Sequence, residues 1–164
     1  LITMFLSISL LFNVSNIVTI HGDTIVKKFP KELNGTWYTY YDKGLKHKLV
    51  INAKKMEFHP YVNHVLYTNN PYKSPKTKSQ KKYFNKTKNW TYAYSFNQKH
   101  YRWYTFYMWQ YFAGNRVSYN VHKFNGHKVL SIADESSVDA HYYKSKSLAK
   151  KMGHKKYHGF DYTI

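Results

Sequence analysis

The chain contains no cysteine. That excludes a small disulfide-stapled scaffold, a lipid-modified cysteine anchor, thiol catalysis and cysteine-ligated zinc or iron–sulfur centres. Acidic residues are scarce: eight Asp and Glu stand against 26 Lys and Arg, for a net charge of +18. The acids (Asp23, Glu32, Asp42, Glu57, Asp134, Glu135, Asp139, Asp161) provide no carboxylate pair on neighbouring strand faces, as general acid–base chemistry would need. Arginine is nearly absent too, with only Arg102 and Arg116. The positive charge is therefore mostly Lys, which meets phosphate as a point charge and not through a bidentate fork. Neither a G-x-S-x-G elbow nor a Gly-rich phosphate loop nor an H-E-x-x-H zinc motif occurs, so no catalytic residue and no cofactor is expected.

What is present is a strongly basic, aromatic-rich chain, 20% Phe, Trp and Tyr in 164 residues. With 43% hydrophobic residues it has enough apolar material for one core without disulfides. A charge of this size attracts anionic polymers: nucleic acid, acidic polysaccharide or anionic cell-wall polymer. The competing reading is compositional drift, since Lys, Asn, Tyr and Ile are together what an AT-rich coding sequence produces. Ten histidines, including the pairs His59/His64, His122/His127 and His154/His158, have no zinc-ligand spacing and read as surface groups, so no metal is expected. They would add positive charge below about pH 6.5.

Leu1 to Ile20 carries no charge and is dominated by Leu, Ile, Phe and Val. Residues 1–22 are expected to be a signal peptide or an uncleaved membrane anchor; either places the rest of the chain outside the membrane. Residues 23–32 form a short linker, and 33–164 form one domain.

The rhythm of that domain is short aromatic strands separated by polar turns. Strands are expected at Thr36–Asp42, His47–Asn52, Met56–His59, Val62–Thr68, Trp90–Phe96, Tyr101–Phe112, Arg116–Phe124 and His127–Ala133. Asn125-Gly126 is a two-residue hairpin signal. Residues 69–89, with Pro71 and Pro75 and many lysines, read as a long basic surface loop, and Asp134 to Asp139 as an acidic loop. Ser145 to Met152 suits a short helix capped by Ser145 and ended by Gly153, and Tyr157 to Tyr162 a last extended segment. The expected fold is all-β, an antiparallel barrel of about eight strands with a hydrophobic leader helix and a short C-terminal helix.

Pro30-Lys31-x-Leu33-x-Gly35-Thr36-Trp37-Tyr38 and the closing Tyr142-Tyr143-Lys144-x-Lys146-x-Leu148-Ala149-Lys150-Lys151 resemble motifs of small secreted lipocalin-like proteins of lactic acid bacteria. The resemblance implies a lipocalin-like barrel at the surface of, or secreted by, a Gram-positive bacterium. It also implies structural roles for Gly35 and Trp37, the indole plugging one barrel end, with Arg116, or else Arg102, packed over it. The family supplies no catalytic or ligand residues.

Two candidate sites remain. Lys73, Lys76, Lys78, Lys81, Lys82, Lys86 and Lys88 form a basic patch suited to electrostatic contact with an anionic wall polymer, polysaccharide or nucleic acid. Trp90, Tyr92, Tyr94 and Phe96, with Trp103, Tyr107 and Trp109, either line a barrel cavity for a small aromatic or hydrophobic ligand or simply form the core. The functional expectation is an exported, non-enzymatic barrel protein contacting anionic polymers, with a small-ligand binder as the alternative.

Overall fold

Alternating aromatic and small residues are realised as one curled sheet. The computed structural model describes residues 24–40, 46–59, 62–66, 76–108, 116–134 and 137–164. The expected leader (1–22), Trp109 and Lys73 lie outside the described residues. Among those described, ten strands pair in one sheet: β1 (Thr24–Ile25), β2 (Gly35–Tyr40), β3 (Lys46–Ile51), β4 (Lys55–His59), β5 (Val62–Leu66), β6 (Trp90–Gln98), β7 (Tyr101–Met108), β8 (Val117–Phe124), β9 (His127–Asp134) and β10 (Ser137–Tyr143). Two helices, α1 (Lys78–Lys86) and α2 (Lys146–Met152), complete the described elements, with a 3-10 turn over Lys31–Leu33.

The pairing order runs β6-β5-β4-β3-β2-β10-β9-β8-β7, and β7 pairs with β6 again, giving a barrel-like curl. Nine strands cannot alternate direction all the way round, and among the described residues the parallel contact is between β5 and β6. Parallel neighbours cannot be joined by a tight hairpin, so a longer segment separates β5 from β6. This explains a difference from the sequence reading: the basic segment is not a plain loop but contains α1. Its start is a capping box. Thr77 Oγ1 accepts from Gln80 N at 3.2 Å, and Gln80 Oε1 accepts from Thr77 N at 3.0 Å.

A second difference is β10, where the sequence suggested an acidic loop. The strand carries a bulge between Val138 and Ala140. The Asp139 carboxylate there accepts from Asp134 N at 3.0 Å, so the acid satisfies backbone that the bulge leaves unpaired. β10 brings the total beyond the eight strands expected. The hairpin at Asn125-Gly126 is as predicted, with φ of 46° and 78°, and Ser145 Oγ caps α2 by accepting from Leu148 N.

Both faces of the sheet are packed. Inside the curl, Trp37, Leu49, Ile51, Met56, Tyr104, Phe106, Tyr119, Leu130 and Tyr142 meet, joined by Phe29 and Leu33 from the segment before β2. Outside β7 to β10, Trp103, Val129, Ala133 and Tyr143 are covered by Ala149 of α2 and by Tyr157 and Phe160 of the C-terminal tail. Val138 N donates to Tyr162 O at 2.8 Å, and Tyr157 OH donates to Tyr143 OH at 3.0 Å. The tail thus belongs to the fold. No helix among the described residues is long and apolar enough to cross a membrane.

Trp37 is fully buried, and its indole Nε1 donates to Leu33 O at 2.7 Å. Trp37→Ala should destabilise the domain by about 3–5 kcal/mol, combining lost burial with a cavity, as measured by chemical denaturation. A loss below about 1 kcal/mol would show that the indole is not a keystone.

Candidate functional site

The structure separates the sequence-predicted residues into distinct surfaces. The first is α1. Lys76, Lys78, Lys81, Lys82, Lys86 and Lys88 are all exposed, and α1 buries no residue of its own. Lys78, Lys82 and Lys86 repeat at i, i+4, so they share one stripe. Like charges at that spacing each cost about 0.2–0.5 kcal/mol. That repulsion is offset by the capping box and by Lys86, which favours the C-terminal dipole. Thr87, fully buried, donates its hydroxyl to Tyr83 O at 2.9 Å and anchors the helix end. Tyr83 meets Trp90 edge-on at 6.1 Å, tying α1 to the start of β6.

The aromatic set lies elsewhere than a cavity reading requires. On β6 the buried residues are Thr91, Ala93 and Ser95, with Ala93 in the inner cluster. Side chains alternate along a strand, so Trp90, Tyr92, Tyr94 and Phe96 occupy the outer face. Their partners across β7 follow: Tyr92 faces Tyr107 and Phe96 faces Trp103. Phe96 and Trp103 enter the outer core, while the Tyr94 and Tyr107 hydroxyls meet at 3.0 Å. The named rings therefore do not line the interior. That space is taken by Tyr104, Phe106 and Tyr119, with the Tyr104 hydroxyl donating to Glu32. Burial, reinforced by that carboxylate, pushes the Tyr104 phenol up to about 12.

The third surface is the Trp37 end of the barrel, where the arginine expectation is corrected. Arg116 lies against the Tyr107 and Tyr94 hydroxyls. It precedes β8 by one residue, whereas the Trp37 end is level with Lys123, seven residues along and about 23 Å away at strand rise. Arg102 donates to Ser95 Oγ at 3.2 Å and lies over Tyr104. The cation on the indole is Lys144, its Nζ 3.4 Å from the ring centroid and donating to Asn34 O at 2.9 Å. Gly35 makes room for it. With φ of +120°, a Cβ there would stand 2.5 Å from that ammonium. The closing Tyr142-Tyr143-Lys144 segment thus completes the structure begun by Gly35-Thr36-Trp37.

The fourth surface is under the tail, and sequence reading missed it. His141 is buried: Nδ1 meets Ser131 Oγ at 2.8 Å and Nε2 meets Tyr162 OH at 3.0 Å. His122 stacks on Phe160 at 4.7 Å, hydrogen-bonds Asn120 through Nδ1, and lies 6.5 Å from the His141 ring. Beside them a cleft of about 150 Å³ opens between β2, β10 and the tail, lined among others by Thr39, Asp139, His141, His154, Lys156 and Tyr162. Apart from Asn120 on the same strand, the partners named for the two histidines come from β9, β10 and the tail, and only the alternation of β8 and β10 hints that both rings share the outer face. Among the described residues, no three His, Cys, Asp or Glu side chains gather to hold a metal ion.

Burial drives both imidazoles down from 6.5 to about 4, and for His122 the neighbouring His141 adds to it. The unfolded chain then binds these protons first. Stability is whole above about pH 6.5 and declines as pH falls toward about 4. The denaturation midpoint should drop across that window, and His122→Phe with His141→Gln should flatten the decline. An unchanged pH slope in the double variant would assign acid lability to other groups.

Comparison of the chain with protein-family models, curated proteins and solved structures finds no match, and the site is read from its geometry and charge.

Proposed function

We propose that this is an exported, non-enzymatic, lipocalin-like barrel protein that holds anionic polymers electrostatically at the surface of a Gram-positive cell or after secretion. The observation that carries the reading is α1 with its flanks, where Lys76, Lys78, Lys81, Lys82, Lys86 and Lys88 are exposed within one segment that contains no acid. A lysine stripe of this kind attracts phosphate or carboxylate polymers by charge and releases their condensed counterions. The contact is sequence-tolerant and salt-sensitive, because Lys provides no planar fork. The reading extends to wall polymers, acidic polysaccharides and nucleic acid as members of one chemical class. The hydrophobic leader, the net charge of +18 and the resemblance of the Gly35-Thr36-Trp37 and Tyr142–Lys151 segments support the exported setting.

Retention on immobilised single-stranded DNA, used as a convenient polyanion, should fall steeply with salt. Each lysine–phosphate pairing adds roughly 0.7 to the log–log salt slope, so the Lys78→Gln/Lys82→Gln/Lys86→Gln variant should lower that slope by about 2. Absence of retention at low salt, or retention indifferent to salt, would sink the proposal.

A further inference from the structure

Cross-strand register brings three lysines into one row. Lys123 of β8 is the partner of Lys128 of β9. Val129 of β9 is the partner of Tyr143 of β10, so one step further along the same register Lys128 faces Lys144. Adjacent strands lie about 4.8 Å apart, which places the three backbone positions within about 10 Å. All three side chains are exposed. Like charges opposite one another across strands destabilise a sheet. Ordinary surface design would put an acid among them. Instead the ion pairs among the described residues, Lys55–Glu57 and Lys99–Asp161, involve none of the three, and Glu32 is engaged by Tyr104.

Two of the ammonium groups are also held in place. Lys128 and Lys144 both lie over the Trp37 ring, at 6.0 and 3.4 Å from its centroid. Of the three N–H donors on Lys144, one is taken by Asn34 O and the ring face accommodates another, leaving donor capacity facing outward. Burial, and then the charge on Lys128, lowers the Lys144 ammonium to about 8. The row is therefore a costly, preorganised concentration of positive charge that the described chain does not compensate, unlike α1, whose lysines stand on a solvated helix.

We propose that the Lys123–Lys128–Lys144 row at the Trp37 end of the barrel is a seat for a phosphate-class oxyanion. One such group neutralises the cross-strand repulsion, takes the open donor of Lys144 and needs no arginine fork. Two sources share this chemistry, free phosphate and a phosphate unit of an anionic polymer. For the polymer source the inference rests on the electrostatic function proposed above; for the free ion it stands alone.

The test follows the Trp37 indole N–H and the Lys144 ammonium of the folded protein by NMR as inorganic phosphate is added, against chloride at equal ionic strength. The indole resonance should shift saturably, and the Lys144 pKa should rise by about one unit on acquiring an anionic neighbour. Lys128→Met should abolish both changes, and Lys123→Met should weaken binding about tenfold, a difference of about 1.4 kcal/mol; if Lys128→Met does not fold, Lys123→Met provides the readout. An indole shift that chloride reproduces, or that both variants retain unchanged, overturns the proposal. Linear polyphosphate separates the two sources. Retention of polyphosphate without a Trp37 response overturns the seat and leaves α1 as the contact. A saturable phosphate response without polyphosphate retention upholds the seat for the free ion and removes the polymer function.

Discussion

The hydrogen bond from the Trp37 indole to the Leu33 carbonyl is the contact on which the arrangement of the barrel depends. A buried indole N–H left unpaired would cost the desolvation of that group, about 1–3 kcal/mol. Making the bond fixes the 3-10 turn over Lys31–Leu33 and directs Leu33 and Phe29 into the inner core. It also sets the depth of β2, whose registered contact with β10 among the described residues is Tyr38 with Tyr143. Lys144, the next residue after Tyr143, then lies on the indole face and reaches back to Asn34. One ring thus joins the first long strand to the last, at a seam where backbone pairing is thin.

The second organising fact is that the sheet is packed from both sides. A barrel wall this rich in aromatics has more large side chains than its interior can hold, and the surplus faces outward. β6 resolves this by placing Thr91, Ala93 and Ser95 inside, so that Tyr104 and Phe106 of β7 have room there. The outward rings of β7 to β9 require cover, which α2 and the tail provide. The buried histidines belong to this outer layer. They act as aromatic packing that can acquire charge, which makes the outer layer the acid-sensitive part of the molecule.

Much of this was readable in the sequence. Short β-forming runs bounded by turn residues located β2 to β9, because these are local properties. Asn125-Gly126 and Ser145 declared their turn and cap through backbone geometry that few other residues serve so well. Other features were not readable. α1 was masked by its lysines and neighbouring prolines, although Thr77-Lys78-Ser79-Gln80 carries a capping box. β10 was masked by Asp139 and by a bulge that breaks its alternation. The aromatic face of β6 was left open between cavity lining and core because periodicity gives two faces without saying which is inside; in the structure the small face, with Ala93, joins the inner cluster. The cation on Trp37 was expected to be an arginine by resemblance. Strand register, which no local motif encodes, assigned the place to Lys144 instead.

Parity has a consequence of its own. A ring of alternating strands with an odd count must contain one place where the direction repeats, and here it is β5 beside β6. There Val65 pairs with Trp90 and Leu66 with Thr91, so β6 begins level with the end of β5, and the segment that joins them has no length of wall to cover. α1 lies in that joining segment, outside the ladder of the sheet, and none of its residues is buried. Lysines placed there cost the barrel interior nothing, so this segment is free to change its charge while the wall behind it stays the same.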